Sequence, residues 1–152
     1  MILKLMGELD YYTRMALSGM IAVVIETVVD QIQYMVHSIE NSVITYAASV
    51  LLPDSEQLDK LSAQIVGFMG HLIMGAGMGM IIGIVLLETG SSQAYLKGMG
   101  VGTFYWLIVH RGLTSKFWVK PSANLSSKTA AIEILKHLLI GFLTVAFSYW
   151  LR

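Results

Sequence analysis

AQIVGFMGHLIMGAGMGMIIGIVLL, residues 63–87, decides the fold. These 25 residues contain no Asp, Glu, Lys or Arg. At about 1.5 Å per residue, a helix of that length crosses the roughly 30 Å hydrocarbon layer of a bilayer. Its one ionisable side chain is His71, set among Gly67, Gly70, Gly75, Gly77, Gly79 and Gly83. In water each of those glycines would disfavour a helix by about 1 kcal/mol. In lipid the backbone has to satisfy its own hydrogen bonds, and a helix does so. Gly75, Gly79 and Gly83 recur every four residues, so they share one face and let a neighbouring backbone come close. The stretch reads as a transmembrane helix built for tight packing.

The rest of the chain agrees with that setting. Of 152 residues, 55% are hydrophobic and 13% charged, about half the charge of a typical soluble domain. The formal net charge is zero, which argues against nucleic acid as a partner. No cysteine is present, so thiol catalysis, disulfides and iron–sulfur clusters are excluded. Glu8 and Asp10 interrupt the first stretch, which does not resemble a secretory signal. The expectation is one all-α domain over residues 1–152: a multi-pass integral membrane protein with four transmembrane helices in an antiparallel bundle.

Spans are expected over residues 15–37, 63–87, 94–113 and 128–151. Tyr11, Tyr12 and Arg14 anchor the entry to the first, and Tyr149, Trp150 and Arg152 the exit from the last. An amphipathic interfacial helical segment follows His37 to about Leu52. Pro53 with Asp54 and Glu56 signals a new helix start. Glu88, Thr89 and Gly90 close the second span with a glycine stop. Lys97 and Arg111 bracket the third span, with Gly98 and Gly102 forming a second small-residue pair. Lys4, Arg14, Lys97 and Arg152 fall on the side of the termini; Lys60, Arg111, Lys116, Lys120, Lys128 and Lys136 fall on the loop side, which favours that side as cytoplasmic.

Depth makes the polar residues informative. Glu26, Asp30, Gln33 and His37 form one stripe on the first helix. Asp30, His71, His110 and His137 each lie roughly 5–9 Å from the midpoint of their spans, all toward the loop side. Glu133 sits one turn from His137 on the same face. Imidazole and carboxylate at one level are the chemistry of a metal site, with Asp30, His71, His110, His137 and Glu133 as ligands. They are equally the chemistry of a b-type haem held between two of His71, His110 and His137. Glu26, Gln33 and His37 would support such a site. The bland reading of the same layer is interhelical hydrogen bonding, worth about 0.6 kcal/mol per contact.

Two further readings come from other classes. One is an assembly protein whose faces Gly75/Gly79/Gly83 and Gly98/Gly102 make homo- or hetero-oligomeric contacts in the bilayer. The other is a small proton-linked transporter using Glu26 and Asp30. Ten methionines fit packing better than copper binding, since they form no regular Met-x-x-Met run. No nucleophile–base pair supports a hydrolase, and binding rather than catalysis is expected. Gly70-His71-Leu72, Leu96-Lys97-Gly98 with Trp106 and His110, and His137-Leu-Leu-Ile-Gly141 are similar to small bacterial membrane proteins of the YqhR-like kind. That resemblance implies a four-helix protein of the bacterial plasma membrane and no defined activity. The pair Glu26/Asp30 lies outside it.

Overall fold

In a computed structural model, residues 10–52, 57–108 and 126–152 are described, and all their regular structure is helical. The elements are α1 (Tyr11–Met35), α2 (Val43–Leu51), α3 (Leu61–Thr89), α4 (Ala94–Tyr105) and α5 (Ser127–Trp150). Three of them, α1, α3 and α5, are long and apolar enough to cross a membrane. The expected third span is described as α4 and a wider helical turn over residues 106–108; its remainder, with His110, lies outside the described residues.

Several helix ends have a local cause. Asp10 caps α1, its carboxylate accepting the backbone N–H groups of Tyr12 and Thr13, both at 3.0 Å. Ser42 caps α2 and Ser126 caps α5 through their hydroxyls. The first span is expected to run to His37, with an interfacial helical segment following it. Instead α1 ends at Met35, because His37 adopts a left-handed backbone with φ 55°. The N–H of Ser38 then donates to the Gln33 carbonyl at 2.8 Å, closing a helix-ending turn that usually uses glycine. Gly90, with φ 77°, ends α3, and the Lys97 ammonium donates to the carbonyls of Thr89 and Gly90. Lys97 is therefore a helix cap rather than a free interfacial anchor.

The glycines set how closely the helices approach. A Cβ built on Gly79 would lie 2.1 Å from the Met15 carbonyl oxygen, and one on Gly19 would lie 2.1 Å from that of Gly75. Backbone therefore touches backbone between α1 and α3. Tyr11 meets Gly83, Gly19 meets Gly75, and Glu26 meets His71, so the two helices run in opposite directions. The pair α4–α5 repeats the device: Gly98 abuts Gly141, and Gly102 abuts the His137 carbonyl. Gly75, Gly79, Gly83, Gly98 and Gly102 all find their close neighbours within the chain. Gly19 and Gly141, on the facing helices, complete the contacts.

The molecule is apolar outside and polar within. Val28, Ile32, Ile73, Leu96, Phe104, Leu135 and Trp150 are each more than half exposed. Glu26, Asp30, Glu133, Lys136, His71 and His137 are buried. A soluble protein rarely exposes such apolar area, whereas in lipid it is the ordinary outer surface. Each buried charge, turned outward near the bilayer centre, would cost about 3 kcal/mol. That term faces them inward.

Candidate functional site

The buried charges converge where α1, α3 and α5 meet. The Lys136 ammonium of α5 pairs with Asp30 Oδ1 of α1, with Glu133 Oε1 at 2.6 Å, and with Glu26 Oε1 of α1 at 3.3 Å. Glu26 Oε2 lies 3.0 Å from Nε2 of His71 on α3. Asp30 uses its second oxygen to accept the N–H of Val43 at 2.7 Å, in the first turn of α2. His137 sits one residue from Lys136; its Nδ1 lies 2.9 Å from the Glu133 carbonyl, which must accept, so Nδ1 carries the proton. The Trp106 ring packs 6.4 Å from the His137 ring, centre to centre.

Helical spacing explains the cluster. Glu26 and Asp30 are four residues apart and share the inner face of α1. Glu133, Lys136 and His137 span one turn of α5. The glycine contacts at Gly19, Gly75 and Gly79 draw α1 and α3 together, which lets Glu26 reach His71.

Of the residues singled out in the sequence, Glu26, Asp30, His71, Glu133 and His137 come together. The level differs in one respect: His71 pairs with Glu26, while Asp30 lies one turn on and pairs with Lys136. Gln33 is half-buried on the stripe, and its Oε1 has no hydrogen bond among the described residues. His37 is exposed beyond the end of α1, beside Glu40 and Lys128 in a separate surface cavity of about 560 Å³. It does not join the cluster. His110 lies outside the described residues.

Lys136 is the residue that sequence reasoning misplaced. It was grouped with the loop-side cations, yet it is 4% exposed at the centre of the cluster. The available signal was its position three residues after Glu133 and one before His137, on a helix that must cover the acidic face of α1.

Charge accounting defines what the cluster can do. Three carboxylates surround one ammonium, so with neutral imidazoles the ionised cluster is two positive charges short. Glu133 Oε2 is buried with no hydrogen bond among the described residues. Uncompensated carboxylates in an apolar interior are strongly disfavoured, so the arrangement favours additional positive charge nearby. Among the described residues, no three His, Asp or Glu side chains are grouped to hold a metal ion. The ammonium of Lys136 stands where Asp30 and Glu133 would have approached one.

A cleft of about 550 Å³ adjoins the cluster. Its walls are almost wholly apolar: Val50 and Leu51 of α2, Ile65, Met69 and Ile73 of α3, and Ile140 of α5. His71 and His137 reach its inner end, and Tyr105 of α4 borders it. His71 therefore faces the cleft on one side and Glu26 on the other. Compared with protein-family models, curated proteins and solved structures, the chain shows no significant match.

Proposed function

We propose that this chain is a four-span integral membrane protein whose buried Glu26–Asp30–Glu133–Lys136 cluster takes up and releases protons, as in a small proton-linked carrier. The four helices form an antiparallel bundle, with α2 lying at the interface. The observation that carries this reading is the unequal charge of the cluster: three carboxylates from two helices share one lysine, and His71 extends the network to the wall of a cleft. A cluster serving only to fix helix register does not need carboxylates in excess of its ammonium. The surplus acids supply proton sites at membrane depth, where ionisable groups mark ion and proton pathways.

The metal or haem reading draws less support. His71 and His137 border one cleft, but the acids that would complete a metal shell are engaged with Lys136. The test is proton movement in proteoliposomes under an imposed pH gradient. The wild-type protein is expected to carry protons, alone or with a co-substrate. Glu26→Gln, which keeps shape and loses the charge, is expected to abolish this. Unchanged flux in Glu26→Gln would remove the proposal.

A further inference from the structure

The cleft beside the cluster has a volume suited to a ligand of drug-like size, for which about 300–1,000 Å³ is usual. It opens sideways past Ile65, Met69 and Ile73, each more than half exposed, so its mouth is on the apolar outer surface. A molecule entering there has to be lipophilic. The other end of the cleft is different in kind. His71 stands in its wall with Nε2 on Glu26, and behind Glu26 lie the surplus carboxylates. Glu133 Oε2 has no hydrogen bond among the described residues.

We propose that this cleft binds a lipophilic cation, an amine or quaternary onium group on an apolar body, whose positive charge offsets the carboxylate excess behind His71. The inference rests on the proton-site reading above and names the ligand class for it. The apolar body fills the space between α2, α3 and α5. The charged head lies toward His71 and His137, with Tyr46 and Tyr105 in the wall offering aromatic faces for a cation.

His71 of α3, His137 of α5, Tyr46 of α2 and Tyr105 of α4 are the titratable groups in the wall, and behind them lie Glu26 and Asp30 of α1 with Glu133 and Lys136 of α5. Neither α2 nor the described part of α4 near the cleft adds a charge. Positive charge therefore has to come from protons or from the ligand. When the cation arrives, a proton held among the surplus carboxylates leaves to water, so charge is conserved and no bond other than O–H changes. Binding and protonation then compete, and the coupling is reciprocal.

The experiment measures binding of tetraphenylphosphonium to the purified protein in detergent, with tetraphenylborate as a probe of the same shape and opposite charge. Tetraphenylphosphonium is expected to bind with release of a proton, and its affinity to rise about tenfold per pH unit over the acidic range. Tetraphenylborate is expected not to compete. Ala47→Trp, which fills the cleft from α2 without touching the charge cluster, is expected to abolish cation binding and leave Glu26-dependent proton flux. Equal binding of the two ions, or pH-independent binding of the cation, would overturn the proposal even if the variant fails to fold. Failure of the cation to bind while Glu26-dependent proton flux persists would overturn this inference alone. Loss of the Glu26 dependence itself would overturn the proton-site reading beneath it.

Discussion

Lys136 holds together carboxylates that would otherwise repel one another. Removing it leaves Glu26, Asp30 and Glu133 facing a vacated position in a buried site. Breaking a buried ion pair by deleting one partner costs about 3–5 kcal/mol. Lys136→Met is expected to lose stability of that order, read from the midpoint of unfolding in mixed detergent. Adding Asp30→Asn should restore part of it, since one fewer charge is left unpaired. The contribution of Lys136 was hidden in the sequence for a physical reason. It lies about 13 Å from the start of α5, within reach of the interface for a long, flexible side chain. Only the acidic face of α1 packed against it distinguishes a buried partner from a snorkelling one. Glu26, Asp30 and His71 were legible because their side chains are too short to escape the apolar layer. At the membrane edge, Asp10 caps α1 by accepting the Thr13 hydroxyl and N–H, which hold its carboxyl below the usual carboxylate range. A group with a lowered folded pKa stabilises above its unfolded pKa and loses that contribution as pH falls through the folded one. Acidification should therefore lower the protection of the Tyr12 and Thr13 amides relative to their intrinsic exchange rates, whereas in Asp10→Asn that protection should not change with pH.

Helix packing depends on which glycines face a backbone. Gly79 lies against Met15 and Gly19, while Gly77, two residues earlier, has open space where a Cβ would stand. Gly79→Ala is expected to separate α1 from α3 and cost about 1–3 kcal/mol, as overpacking does. Gly77→Ala should be neutral or stabilising by up to about 1 kcal/mol. Thermal unfolding of the two variants side by side distinguishes them. The four-residue period of Gly75, Gly79 and Gly83 made the packing face readable from the sequence. It could not say which element covers that face, because Gly19 on α1 and Gly141 on α5 stand alone within their own helices. The end of α1 was likewise hidden: a non-glycine residue, His37, takes the left-handed position there. The short helix α2 depends on the cluster through the N–H of Val43 on Asp30. Asp30→Ala should raise amide exchange along residues 43–51 and leave α3 protected.

Along α1, α3 and α5 the molecule exposes apolar side chains and turns Glu26, Asp30, Glu133 and Lys136 inward, the reverse of a water-soluble fold. Apolar length and low charge were enough to read the apolar exterior from the sequence, together with three of its helices. The meeting of α1, α3 and α5 around one lysine depends on tertiary packing, which no single helix encodes. If α3 crosses the bilayer, the segment joining α2 to α3 and the turn joining α3 to α4 lie on opposite sides of the membrane. The absence of cysteine makes this simple to test. Gln57→Cys and Ser91→Cys should react with an impermeant thiol reagent from opposite sides of sealed vesicles; labelling from the same side would require a different topology.

The central claim is that the buried carboxylates exchange protons while embedded in the bilayer. Infrared difference spectroscopy of the reconstituted protein, stepped from alkaline to acidic pH, reads the carbonyl stretch of a protonated carboxylic acid directly. A band that appears on acidification and is lost in Glu26→Gln is the predicted result. A wild-type spectrum with no carboxyl band changing over that range, or one unaltered by Glu26→Gln, would show Glu26 locked in a static salt bridge and contradict the account.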